Sequence, residues 1–341
     1  MGFVAAILVF SVIILVHELG HFLAAKSVGI EVEELALGFG PRLVGVHRGG
    51  TWYSLRLFPL GGFVRMLGEE EDENNPSPNS FQNKTVLQRM LVIAAGPVMN
   101  FILALLLFII IFGVIGVATA EQPKIAQLME NHAAQEAGLL PGDLVTHINS
   151  KPVGTWGEFV QIVRDSGGEP LEFVVERAGE RLEITVIPRP NAEGIFAIGV
   201  FPEVKLQRLP ILTSIRYGFR QTIHVTGAIL VNLYQLVTRQ LPADDITGPI
   251  GIFYYVGQAA KQGLFDVLFL AALISINLGL FNLLPIPALD GSKLVFLGFE
   301  AIRRRPVDPQ KENLVHLVGF VLLISLMVLV MYRDIVRYFI K

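Results

Sequence analysis

The chain has 341 residues, of which 52% are hydrophobic and only 17% charged, with a mean hydropathy of +0.56. That composition excludes an ordinary soluble domain and points to an integral membrane protein. The formal net charge of −3 offers no basic excess for nucleic acid, and the absence of cysteine excludes disulfides and thiolate metal sites, so any metal chemistry must use nitrogen and oxygen donors.

A bilayer core of roughly 30 Å takes about 20 apolar residues of helix. Four stretches meet this length: 2–25, 87–118, 264–284 and 314–332. No Lys or Arg precedes the first apolar run, so it reads as a retained span rather than a signal peptide. Lys26, Arg42, Arg48, Arg56, Arg65, Lys84 and Arg89 lie between the first two spans, and Lys293, Arg303, Arg304, Arg305 and Lys311 between the last two. Positive loops stay in the cytoplasm, so both termini and the long region between spans two and three are expected outside.

The first span contains ILVHELGHFL, residues 14–23. His17 and His21 are four residues apart and so share one face of a helix, where two imidazoles can converge on a single zinc ion with Glu18 beside it as general base. An isolated carboxylate facing lipid costs roughly 2.5–3.5 kcal/mol or more, which makes intramembrane ionisable groups functional candidates.

Beyond this span, residues 31–37 and 51–59 alternate apolar and polar side chains around a turn at Arg48, Gly49 and Gly50, predicting a small β-element beside the membrane. GEEEDENNPSPNS, residues 68–80, is too polar to bury a core and reads as a loop. From about 120 to 190 the composition becomes that of a soluble domain, and AGLLPGDLVTHINSKPV, residues 137–153, resembles the local signature of a PDZ domain of the bacterial protease-associated type. Such domains add an extended peptide as a strand, so peptide or a newly cut terminus is the implied partner there. No second copy of the signature follows.

Residues 212–241 are only partly apolar and carry Arg216, Arg220, Gln221, His224, Asn232, Gln235 and Arg239, reading as an amphipathic helix on the outer face or as a fifth span. The site decides between them. A catalytic zinc has three protein ligands and one open position, so a third ligand is required. NLGLFNLLPIPALDGSK, residues 277–293, offers Asp290 just past span three, where Pro285 and Pro287 interrupt the helix. Asp290 reaches the depth of His17 only if the two helices run the same way, and a fifth crossing would strand it on the wrong side. The segment is therefore expected to be interfacial.

HELGH in the first span and NLLPIPALDG in the third resemble the site-2 protease family of intramembrane zinc metalloproteases, closest to its bacterial regulators of sigma-E, in a form with one PDZ domain. LGFGP (37–41), PLGGFVRM (59–66) and FQNKTVLQRMLVIAAGPVMN (81–100) extend the resemblance along nearly the whole chain. It implies one zinc held by His17, His21 and Asp290, water activated by Glu18, and Asn277, Asn282, Pro285 and Pro287 handling substrate. Gly61 and Gly62 would belong to a β-edge for the substrate strand. Implied substrates are single-span membrane proteins of the bacterial inner membrane, such as anti-sigma factors after a first cleavage, and remnant signal peptides. The active site would face the cytoplasm. For Asn277 and Asn282, and more strongly for Asn100, hydrogen bonding between spans is the alternative.

The expected architecture is thus a polytopic α-helical membrane protein with four transmembrane helices, a membrane-associated β-element and one inserted PDZ domain. Its divisions would be 1–119, 120–190 for the PDZ domain, 191–262 for a linker with the interfacial helix, and 263–341. Rival functions are a divalent-metal transporter, because intramembrane His and Glu also line ion pathways, and a catalytically silent PDZ scaffold, against which Glu18 argues.

Overall fold

The computed structural model describes residues 2–69, 77–191, 194–240, 247–305 and 307–337; the acidic run expected as a loop falls largely on 70–76, outside them. The chain divides into two compact units, Met1–Gly113 with Pro210–Lys341, and Val114–Leu209.

The first unit opens with α1 (Gly2–Ser27), followed by β1 (Val32–Arg48), β2 (Thr51–Met66) and α2 (Val86–Ile110), whose last turns continue as a π-helix, Ile111–Ile115. Thr85 and Gln88 form a reciprocal capping box at the start of α2, satisfying two backbone donors that the first turn leaves free. The strands are longer than the expected 31–37 and 51–59. Glycine makes their bends possible: Gly61 has φ +139, and a Cβ there would lie 2.0 Å from the Phe39 ring. β1 uses both edges. Glu34 to Leu37 pair with Arg65 to Gly62 on one side and with Trp52 to Leu55 on the other, while Val44 to Arg48 pair back onto Leu55 to Thr51. The result is a sheet of four segments in the order 62–66, 32–37, 51–56, 42–48, with 62–66 at one edge. Buried Glu34 locks it, accepting from Ser54 Oγ (2.5 Å) and from Arg56 Nη2 (2.8 and 2.9 Å).

The second unit is wider than the expected 120–190. It comprises β3 (Val117–Thr119), β4 (Ile125–Leu128), α3 (Ala133–Glu136), β5 (Leu144–Ile148), β6 (Lys151–Pro152), α4 (Trp156–Asp165), β7 (Leu171–Arg177), β8 (Glu180–Val186), β9 (Arg189–Pro190), β10 (Phe196–Ala197), β11 (Val200–Pro202) and β12 (Lys205–Gln207). The strands past residue 190 belong to it because β11 pairs with β4 and β12 with β3. A sheet ordered β6-β5-β7-β8 and the helix α4 enclose Ile125, Leu139, Val145, Ile148, Phe159 and Phe173, a core for a PDZ domain. Asp143, in the Gly-Asp of the signature, is fully buried and held by Arg177 Nε (2.7 Å) and Nη2 (2.8 Å).

Back in the first unit follow α5 (Ile211–Val237), α6 (Pro249–Gln262), α7 (Leu264–Leu283), α8 (Asp290–Arg303) and α9 (Pro309–Ile335). Among the described residues α1, α2, α7 and α9 are the helices long and apolar enough to cross a membrane, matching the four expected spans. The stretch read as a linker holds two helices rather than one. α5 lies against α2, with Gly218 close to Ile109 and Leu105. α6 packs Val256 beside Ala6, Ile13 and Ile274, and the buried Asp334 of α9 accepts from Gly248 N (3.1 Å) and Gly251 N (2.8 Å) at its start. That carboxylate satisfies free amides at the positive end of a helix.

Candidate metal centre

The face of α1 that carries His17, Gly20, His21 and Ala24 is buried, and α2 covers it. Small residues make this approach possible. A Cβ on Gly20 would lie 2.4 Å from Ala95 O, and one on Gly96 would lie 2.2 Å from His21 Nε2. Val92, Gly96 and Asn100 recur every four residues on the covering face of α2.

α7 ends at Leu283, and Pro285 and Pro287 prevent its continuation. After the turn, Asp290 occupies the first turn of α8, where a carboxylate is favoured by the helix N-terminus. Gly291 permits the sharp reversal: a Cβ there would lie 2.1 Å from Leu284 O.

These elements bring His17, His21 and Asp290 together. Asp290 Oδ2 lies 3.2 Å from His17 Nε2 and 3.4 Å from His21 Nε2, and the two Nε2 atoms are 3.2 Å apart. The outer nitrogens are already engaged. His21 Nδ1–H donates to the carbonyl of Val92 (2.9 Å), which leaves the Nε2 lone pair facing inward. Nδ1 of His17 lies 3.2 Å from the amide nitrogen of Asn100, whose Oδ1 is buried without a partner. Half a turn of that amide satisfies the orphaned oxygen with His17 Nδ1–H and frees the second Nε2 lone pair.

Two lone pairs and a carboxylate oxygen so arranged suit a cation. The triangle they form equals the ligand spacing around a tetrahedral ion with bonds of about 2.0 Å, the range of zinc with nitrogen and oxygen. Among the described residues this is the group of three metal-binding side chains that converges. The donor set fits zinc.

Glu18 is half-buried on the adjoining face of α1, and the sheet edge lies directly on it: a Cβ on Gly62 would be 2.9 Å from Glu18 Cγ. Asn282 is buried, whereas Asn277 donates to Leu273 O of its own helix (3.1 Å) instead of to a neighbouring span. Asn100, expected to bond between spans, does so at His17 of the converging triad. The contributions of Val92 O and Gly96, and the choice of His17 as the partner of Asn100, were missed in the sequence, where their spacing of four was the available signal.

The sequence pattern of Peptidase family M50 matches residues 5–326. Zinc metalloprotease RasP of Geobacillus kaustophilus is 35% identical, with 98% of each chain covered. Regulator of sigma-W protease RasP of Bacillus subtilis is 34% identical, again over 98% of each chain. Among solved structures, the PDZ domain of the SdrC-like protein of Listeria innocua is similar to 24% of this chain and 93% of its own length, with 20% identity and a TM-score of 0.22.

Proposed function

The chain belongs to peptidase family M50, and from that premise we propose that it cuts the transmembrane segments of single-span proteins at one zinc ion held by His17, His21 and Asp290, with Glu18 as general base. It is a site-2 zinc metalloprotease of regulated intramembrane proteolysis, a multi-pass bacterial membrane protein with an inserted PDZ domain. The metalloprotease assignment replaces the transporter and scaffold alternatives.

The observation carrying the site assignment is the triangle of donor atoms at 3.2–3.4 Å, with a hydrogen bond turning the His21 lone pair inward. Bound zinc would supply Lewis acidity, acidifying a water and polarising the scissile carbonyl. Glu18 takes the proton of the attacking water on a carboxylate oxygen and delivers it to the leaving amine nitrogen. A substrate helix satisfies its own backbone and must open before it can be cut. The 62–66 edge beside Glu18 offers backbone groups to the opened stretch, with Gly61 making the bend that leads into it and Gly62 letting it sit close to Glu18. Asn277, Asn282, Pro285 and Pro287, on the segment that leads from α7 to Asp290, are the proposed substrate-handling residues.

Anti-sigma factors shortened by an earlier cleavage and remnant signal peptides are the proposed substrates, in keeping with a relative named for regulating sigma-W. The site faces the cytoplasm, and the PDZ domain and both termini lie outside, with α5 at the interface. This follows from the Lys and Arg distribution and the need for His17 and Asp290 to share a depth. The PDZ domain reads the new terminus or filters by size.

The deciding experiment compares variants of the purified protein. Glu18→Gln retains zinc and loses cleavage of a transmembrane substrate, while His17→Ala loses both. Undiminished proteolysis by Glu18→Gln removes Glu18 from its role.

A further inference from the structure

The turn that delivers Asp290, residues 284–289, is gripped by α9. Ala288 has φ +72, a left-handed backbone that costs an L-residue strain and glycine none. Its N–H donates to His316 Nδ1 at 3.1 Å. Three residues along the same helix face, Gly319 meets Pro287 so closely that a Cβ would lie 2.1 Å from Pro287 Cβ. The His316 ring rests beside Phe296 of α8 (centroids 5.8 Å), and its Nε2 has no hydrogen-bond partner and faces Glu312 Oε1 at 3.8 Å. The rest of α9 is largely exposed apolar surface, including Leu317, Leu322 and Leu326. A histidine on a span needs a reason, and the Ala288 N–H supplies one.

We propose that His316 is a positioning residue for the third metal ligand: by accepting the Ala288 N–H it locks that residue left-handed and so fixes the direction in which Asp290 enters the donor triangle. The inference rests on Asp290 being a zinc ligand. Two residues separate the locked peptide from Asp290, and the close seat of Gly319 on Pro287 keeps α9 near enough for the bond to form. A packing role alone would give a different result, because loss of packing lowers stability without selecting the metal.

The test uses the full chain in detergent and reads zinc affinity by chelator competition, the visible spectrum of the cobalt-substituted protein, and Tm. His316→Ala weakens zinc about 10–100-fold, as loss of groups that orient ligands does, and alters the cobalt spectrum with little change in Tm. His316→Asn keeps an acceptor and retains most of the affinity. Adding Ala288→Gly to His316→Ala restores most of it, since glycine holds φ +72 unaided. Zinc affinity of His316→Ala within twofold of the parent overturns the proposal, as does a loss that glycine does not relieve and that follows a falling Tm. Should His316→Ala not fold, the double variant decides, by binding zinc like the parent or failing to. Asp290→Ala is the control: retained zinc there removes Asp290 as ligand and this inference with it. When Asp290→Ala loses zinc, an unaffected His316→Ala sinks this inference alone.

Discussion

Replacing Gly96 with alanine separates the metal centre from the fold. The added methyl would lie 2.2 Å from His21 Nε2, 2.5 Å from Cε1 and 2.8 Å from Cδ2. Ordinary contact needs about 3.4 Å or more, so the ring must retreat by roughly 1 Å or the methyl takes the space at its lone pair. A ligand misplaced on that scale costs about 10–100-fold in metal affinity, or about 1.4–2.7 kcal/mol, and displacements of about 1 Å reduce catalysis by about 100-fold. Helix propensity pulls the other way, since alanine inside a helix is favoured over glycine by about 0.8–1.0 kcal/mol. The expected outcome is a folded protein with zinc affinity and kcat/KM both reduced at least tenfold, measured by chelator competition and cleavage of a detergent-solubilised substrate. A Gly96→Ala protein binding zinc as tightly as its parent would refute the packing of His21 on α2.

Three further outcomes follow from the geometry. Gly62→Ala places a methyl 2.9 Å from Glu18 Cγ and 3.0 Å from Ala36 O, so cleavage falls about 10–100-fold while zinc stays bound; equal losses of both would move Gly62 into metal binding. Asn100→Ala removes the side chain at His17 Nδ1 and weakens zinc about 10–100-fold, and unchanged affinity would leave Asn100 a packing residue only. In the PDZ domain, burial pushes the Asp143 carboxyl up, but the Arg177 guanidinium and the Leu140 N–H outweigh it and hold it below the usual range. A depressed folded value stabilises above the unfolded pKa of about 3.9 and loses that stabilisation as pH falls through the folded value. Hydrogen exchange of the intact protein should show PDZ amides opening more readily as pH drops below about 4, with Asp143→Asn less sensitive; identical pH profiles would contradict this.

Much of the site was legible because its chemistry violates the surrounding composition. Two histidines and a glutamate in a span, and an aspartate just beyond two prolines, stand out wherever water is scarce, and the structure brings His17, His21 and Asp290 together. What was hidden depends on neighbours. Gly96 leaves no side chain to notice, and Asn100 resembles any polar residue that ties two spans together. The place of His316 carries no sequence signal, because its partner is a backbone N–H from a turn 28 residues earlier. The helices α6 and α8 are short and of mixed composition, and the end of the PDZ domain is set by strands that pair back across the whole unit. The double-sided pairing of β1 is likewise a long-range fact, carried by glycine bends that alternation cannot reveal.

The edge position of residues 62–66 has a consequence for selectivity. Backbone amides and carbonyls are common to every protein, so a substrate laid along this rim, as proposed, would be measured rather than spelled out: its alignment would be set by counting peptide units from Gly62, which sits on Glu18. Such a ruler tolerates many side chains and discriminates chiefly by how easily a segment gives up its helix. Helix-breaking residues in a target should then govern where it is severed more than any motif at the severed bond.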